Sequence, residues 1–528
     1  MAHWDAYPDI IYLFNVNYMS LIIRDQSRHK ITQREYYSFL LHYRQDKFNI
    51  LHRACLLFQE FIVDAYAQIE QNRLQFLRLN QDKIRAEVYS GIVDAAIHGA
   101  DLSEVGTLSI LPSSFKGGPR EMWQLYQDAM AIVRCRGKPD LFITMTCNPL
   151  WPEISAELLP GQTAQDRPDL IARVFKLKLN VFLNDLTKDM VFGRVVGFIY
   201  VIEFQKRGLP HVHILLILEQ TQKPNTSDDI NSIVCAEIPN QTAYPELYDT
   251  ITSFMLHGPC GTLRPSAPCT QDDKCSKGYP KSFNDETWPE VDGYPIYRRR
   301  NDGATVHKHG HMFTNAHVVP YNPYLSLKFN CHINVEVATT ITAVKYLFKY
   351  VYKGHDRASI CIVNHEGSDE IDEISEYLDS RYVSAAESCW RIFSFRMHGH
   401  CPAVTRLQLH LPDMQMIRFN PQIESIDNIV QRGNQQDTTL TAFFKICQKE
   451  PELTKDLLYP DLPSKFTWNP QSKVWNRRKD NQRAIGRVTF CPPSAGERYY
   501  LRMLLYTVRC PFSFNDLKRY NGQVHLYF

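Results

Sequence analysis

His211 and His213 stand two residues apart in an apolar run, with Val212 between them and residues 214–218 continuing it. Successive side chains of a strand point to opposite faces, so both imidazoles share one face. Residues 195–205 are also strand-like, and Gly208 and Pro210 mark a turn between the two segments. The hairpin would bring Glu203 and Gln205, which have the same strand parity, near the histidines. Two imidazoles with a carboxylate or carboxamide oxygen form a small N/O set able to hold a divalent ion with open positions. Of Mg²⁺ and Mn²⁺, the second tolerates nitrogen better, and the charge of Glu203 would suit a hard cation. Taken alone, two half-buried strand histidines would be the plainer reading.

Residues 345–354 read Lys-Tyr-Leu-Phe-Lys-Tyr-Val-Tyr-Lys-Gly. On a helix Tyr346 and Tyr350 lie one turn apart on one face. The plainer reading is a pair of core aromatics, but Phe348 and Val351 are better core candidates, and Tyr352 is offset and reads as structural. A phenol with a pKa of about 10 is a poor nucleophile at neutral pH. Beside a metal that neutralises a phosphate, however, a phenol oxygen can attack it.

A third group is His257, Cys260, Cys269 and Cys275, spaced His-x2-Cys-x8-Cys-x5-Cys among Gly258, Gly261, Pro265 and Pro268. Three cysteines and a histidine in a loop-like stretch fit a zinc knuckle. The spacing is not that of a standard finger, and free thiols in a loop are the alternative. Lys274, Lys277 and Lys281 around it could grip a nucleic acid.

The formal net charge of the 528-residue chain is only +2, so there is no overall basic signature for nucleic acid. A DNA path would have to come from local clusters, such as Arg298-Arg299-Arg300 or Lys345, Lys349 and Lys353. There are 14 cysteines but no basic–apolar–small leader and no apolar run of membrane-spanning length. That pattern points to a reducing compartment, with thiols or metal ligands rather than disulfides.

The expected architecture is α+β, an antiparallel sheet with packed helices. Residues 1–120 read as an N-terminal helical region, with residues 30–105 helical throughout. Residues 121–360 form the core, with a Cys/His insertion at 255–283, and residues 361–528 form a mixed C-terminal region. Within the core the pattern predicts a helix at 121–135 and a strand at 140–146. A second helix follows at 167–188, opened by Asp166 and Pro168, and then the hairpin at 194–218. A polar stretch at 220–240 and a loop-rich region to about 335 precede the tyrosine helix at about 338–353.

Five strings in order carry a family resemblance: residues 142–149 (Phe-Ile-Thr-Met-Thr-Cys-Asn-Pro), the histidine hairpin, 319–323 (Val-Pro-Tyr-Asn-Pro), 332–336 (His-Ile-Asn-Val-Glu), and the tyrosine segment. Together they resemble the Rep region of Helitron rolling-circle transposons, the helitron helicase-like domain, an HUH (His-hydrophobic-His) endonuclease with two tyrosines. The resemblance implies an HUH-type sheet and metal-dependent nicking and strand transfer on single-stranded DNA at transposon ends. The intermediate would be a 5′-phosphotyrosine made by Tyr346 or Tyr350, with Lys349 between them stabilising charge. It favours Gln205 over Glu203 as the third ligand beside His211 and His213. It also implies that Asn148, Trp151, Lys345 and Lys353 touch DNA, that Cys-x5-Cys-Ser-Lys holds structural zinc, and that the protein works in the nucleus. Members of the family continue into a Pif1-type helicase. No Gly-x-x-x-x-Gly-Lys-Ser/Thr phosphate loop occurs in this chain, so the reading expects a truncated or helicase-free form, with any helicase supplied in trans. The alternative function is a non-catalytic DNA-binding remnant.

Overall fold

The computed structural model describes residues 31–44, 48–79, 85–88, 107–108, 111, 115–205, 208–288, 295–308, 310–338, 373–378, 381–419, 424–479 and 484–528. The elements that position the site are, in chain order, α1 (Gln33–Leu40), α2 (Leu56–Leu79), α3 (Pro119–Arg136), β1 (Leu141–Thr146), α4 (Pro168–Thr187), β2 (Val195–Phe204), β3 (Pro210–Leu218), β4 (Ile333–Val337), α5 (Ala385–Ile392) and β5 (His398–Cys401).

The five strands form one sheet in the order β4-β1-β3-β2-β5, and every neighbouring pair is antiparallel. Alternation divides its faces. Ile143, Met145, Val212, Ile214, Leu216, Ile202 and Val335 point to one side and join the main core beneath α2, α4 and α5. On the other side, Phe142, Ile199, Leu215 and Ile217 pack under Tyr126, Ala129 and Ile132 of α3. The same side carries His211 and His213 beyond the part that α3 covers.

α4 shows why this framework is firm. Pro168 takes the first helical position, where a missing N–H costs nothing. Leu170, Ile171, Val174, Phe175, Leu179, Phe182 and Leu186 are all buried along one stripe. Asp169 is wholly buried. It accepts two hydrogen bonds from Arg167, each 3.0 Å long, and one of 3.1 Å from Arg173. Burial alone would raise its pKa, but these guanidiniums prevail and hold the carboxyl below its ordinary value. Asp166 does not cap α4. It closes the preceding turn, accepting from the Thr163 N–H and hydroxyl.

Several stretches depart from the expected pattern. Arg85–Val88 is a strand rather than helix and pairs with Met416–Phe419 and Thr107–Leu108. The polar stretch holds a helix, Ser227–Ile233, capped by Thr226 and Asp229. The loop-rich region holds two more, Pro245–Phe254 and Pro323–Phe329. The fifth strand of the sheet, β5, comes from beyond residue 360. The C-terminal part builds its own core around Phe443, Tyr459, Leu462, Phe466 and Leu501. It is tied to α3 through Asp128, which pairs with Arg487 at 2.6 Å and Arg406 at 3.3 Å. No helix among the described residues is long and apolar enough to cross a membrane.

Candidate functional site

The β2–β3 hairpin sets the site by register. Glu203 faces His211 across the ladder, and Val201 faces His213. On the other flank Thr146 faces His211, and Thr144 faces His213. One row of the sheet therefore presents Thr146, His211 and Glu203 side by side on one face. The Thr146 hydroxyl and His211 Nδ1 are 2.7 Å apart, which fixes the ring and leaves Nε2 to point elsewhere. His213 Nε2 lies 3.3 Å from Glu203 Oε2, and the two imidazole rings meet edge to face with centroids 4.5 Å apart. Phe142 stacks on His213 from the α3 side, at 5.8 Å. Burial drives His211 well below its ordinary pKa, and the neighbouring His213 and His332 push the same way. His211 is thus a neutral ring, the form that binds metals.

His332 was quoted in the sequence motif without a role. It sits at the start of β4, where its carbonyl accepts from the Thr146 N–H at 3.0 Å. Its Nδ1 is buried with no hydrogen-bond partner, and burial lowers its pKa. Two imidazoles, a carboxylate and an unsatisfied ring nitrogen are donor types that suit a divalent cation, but their ligand atoms do not all come within 4.8 Å of one another. Gln205, by contrast, lies just past the end of β2 and is exposed. Its backbone N–H donates to Leu209 O in the turn. The register places Glu203 beside the histidines and leaves Gln205 at the hairpin tip.

The second group is tighter. His257, Cys260, Cys269 and Cys275 bring their ligand atoms within 4.8 Å of one another, and among the described residues they are the one His/Cys/Asp/Glu group that does so. Cys269 Sγ and Cys275 Sγ lie 3.5 and 3.3 Å from His257 Nε2. Ligands held at roughly 2.0–2.3 Å from one tetrahedral centre would be about 3.5–3.8 Å apart. A miniature hairpin, Thr270–Gln271 against Lys274–Cys275, brings the last two cysteines together. Its two turn residues, Asp272 and Asp273, both have positive φ, at 48° and 57°, as a type I′ turn requires. Around the group, Tyr279 stacks on His257 at 4.2 Å, and the Lys277 N–H donates to Cys275 Sγ at 3.4 Å. Burial and the adjacent thiols push Cys260 up to about 12, a crowding that a bound cation would relieve. The four side chains could hold a metal ion.

Other residues singled out from the sequence behave differently. Trp151 is 1 % exposed. Its indole N–H donates to Phe329 O at 2.7 Å, so it is a core residue and has no face to offer a base. Asn148 is also buried. Its amide donates to Asn330 O, and its carbonyl oxygen accepts from the Leu150 N–H, so it caps the turn after β1. The Arg298–Arg300 run is not a free basic patch. Arg299 is buried and donates to the carbonyls of Ala236, Asn315 and Val318, while Arg298 and Arg300 both pair with Glu237. Lys281 turns back to the Lys277 carbonyl at 2.9 Å. Tyr346, Lys349 and Tyr350, with Lys345, Tyr352 and Lys353, lie outside the described residues.

Compared with known proteins, residues 36–216 match the family model described as the Helitron helicase-like domain at the N-terminus. The matched stretch contains Glu203, Gln205, His211 and His213. The Cys/His quartet, His332 and the tyrosine segment lie beyond it. No curated protein matches the chain.

Proposed function

With a Helitron helicase-like domain matched over residues 36–216, we propose that the protein is an HUH-type endonuclease and strand transferase for single-stranded DNA, acting at transposon ends in the nucleus. The observation that carries this reading is the placement of His211, His213 and Glu203 on one sheet face inside the matched stretch. These three side chains would hold Mg²⁺ or Mn²⁺, with Gln205 as the alternative oxygen donor. A divalent ion bound there supplies Lewis-acid polarisation of a phosphate.

The chain's own residues do the rest. The phenol oxygen of Tyr346 or Tyr350 forms a bond to phosphorus, and the bond from phosphorus to the 3′ oxygen breaks. The phenolic proton leaves to solvent or a base, and the 3′ oxygen takes up a proton to become a free 3′-OH. The 5′ end stays on the enzyme as a phosphotyrosine. Lys349 offsets the charge that builds on the phosphate oxygens. The second tyrosine takes the next strand, so that one site holds one end while cutting another. The Cys/His quartet would hold zinc with a structural role.

The test is a covalent-adduct assay on a labelled single-stranded oligonucleotide with Mn²⁺ or Mg²⁺. The expected result is a denaturant-stable protein–DNA band that disappears in Tyr346→Phe/Tyr350→Phe and in His211→Ala/His213→Ala. Phe keeps the ring and removes only the nucleophile. A band surviving the double tyrosine change would move the nucleophile elsewhere, with Tyr352 next in line. DNA binding with no band under any condition would leave the non-catalytic reading.

A further inference from the structure

β5 covers the outer edge of β2 only over residues 198–201. Past that point the ladder closes with one more bond, from the Ile202 N–H to Met397 O at 2.8 Å, and the edge then opens into a cleft. Glu203 and His398 line its sheet side. Arg34 from α1, Arg73 from α2 and Arg396 line the rest. A second groove, between α1 and α2, shares Arg34 and Arg73 with the first and runs on to Asn72 and Phe76. Phe76 is 65 % exposed.

The charges in the cleft do not cancel. Lys116 is taken by Glu121 at 2.6 Å and Arg391 by Glu387 at 2.7 Å. Glu203 lies against His213, a ring that offsets its charge only when protonated, so this one carboxylate stands against the three guanidiniums that follow. Arg34, Arg73 and Arg396 are exposed, and none of them has a carboxylate partner among the described residues. Arg73 lies over the Phe115 ring at 5.3 Å. His398, on the sheet side, is held down to about 3 by burial first and then by the charges of Arg391 and Lys116. The chain as a whole is nearly neutral, so three uncompensated guanidiniums along one continuous cleft that ends beside Glu203 are a local feature. Guanidinium forks match phosphate oxygens. A basic groove combined with an exposed aromatic ring is the arrangement that holds single strands without reading their sequence.

We infer that this cleft is a phosphate track for the single strand leading to Glu203, His211 and His213, in which Arg34, Arg73 and Arg396 each take a backbone phosphate and Phe76 stacks a base. The inference deepens the nicking reading and rests on it for the strand's destination. It commits to nucleic acid; an acidic peptide is the competing occupant.

The experiment measures binding of a fluorescent single-stranded oligonucleotide by the full chain across a salt series. Each phosphate neutralised on a single strand contributes about 0.7 to the slope of log K against log salt. Arg34→Ala/Arg73→Ala/Arg396→Ala should therefore flatten the slope by about 2 and weaken binding at least tenfold at low salt. Arg34→Lys/Arg73→Lys/Arg396→Lys should keep most of the slope. Lys188→Ala/Lys449→Ala/Lys479→Ala, which removes three exposed cations outside the cleft, should leave it unchanged. If the triple alanine variant does not fold by circular dichroism, single changes at Arg34 and Arg396 should each remove about 0.7. An unchanged slope overturns the track, as does displacement of the oligonucleotide by poly-glutamate at equal concentration of charge. A flattened slope in a protein that forms no covalent adduct leaves the track standing and removes the nicking reading. A normal adduct with an unchanged slope removes the track alone.

Discussion

Glu203 and His213 are diagonal neighbours across the β2–β3 hairpin, and the carboxylate Oε2 lies 3.3 Å from the imidazole Nε2. Strand register produces this contact, because the direct partner of Glu203 is His211. The carboxylate, in the same row as His211, therefore meets the diagonal ring, while Gln205 is carried past the strand end.

From this follows a prediction that separates the two oxygen donors. Glu203→Ala should weaken Mn²⁺ binding by about 100-fold or more, the upper end of what even the outer partners of a metal site cost. Gln205→Ala should change it by less than about threefold. Titration of Mn²⁺ followed by electron paramagnetic resonance gives both affinities without needing activity. The reverse ranking would make Gln205 the ligand.

The Cys/His quartet should carry about one zinc per purified chain, because its four donors lie within 4.8 Å of one another and are of the type that holds tetrahedral zinc. Elemental analysis measures the content. Cobalt substitution should give the visible bands of a tetrahedral thiolate site. Cys269→Ser/Cys275→Ser should abolish both, and a zinc content unaffected by that pair would remove the assignment.

Asp169→Asn should destabilise the protein by about 3–5 kcal/mol, because it strips one partner from a buried ion cluster and leaves Arg167 without its counter-charge. The native pKa of Asp169 is depressed, so its contribution is complete above the unfolded value of about 3.9 and is lost as the pH falls through the native value. Urea unfolding at pH 7 should show the full loss in the variant. The gap between wild type and variant should narrow below about pH 4; a gap independent of pH would mean that the carboxylate charge is not what matters.

Gly399 faces Tyr200 across the β2–β5 pair, and an added methyl group there would sit inside the tyrosine ring. Gly399→Ala should cost about 1–3 kcal/mol, in the range of overpacked cores, and should raise hydrogen exchange along β2. Unchanged protection of the Phe198 and Tyr200 amides would show that the ring moves aside freely.

The histidine hairpin was legible because its signals are local: alternation on both strands and Gly208 with Pro210 at the turn. The helix at 168–187 was legible for the same reason. Asn148 and Trp151 could not be placed locally, since the carbonyls that claim them belong to Asn330 and Phe329. Arg299 looked like surface charge because its acceptors, Ala236, Asn315 and Val318, are scattered along the chain. β5 gave no strand signal. Its sequence His-Gly-His-Cys has no apolar alternation, since Gly399 must be small and its neighbours are polar. His332 could have been found by noting a histidine at the head of a strand whose alternate positions, Asn334 and Glu336, are also polar.

That late strand has a consequence for how the molecule is made. β2 and β3 leave the ribosome long before His398 does, so the nascent hairpin meets the cell with one edge unpaired over residues 198–201. An open edge is a template for unwanted pairing, and domains tend to fold as synthesis proceeds. A shortened transcript that ends before β5 would still encode both histidines, yet its product would be prone to self-association. In cells, the soluble yield of such products should fall sharply as the stop codon is moved from just after residue 401 to just before 398.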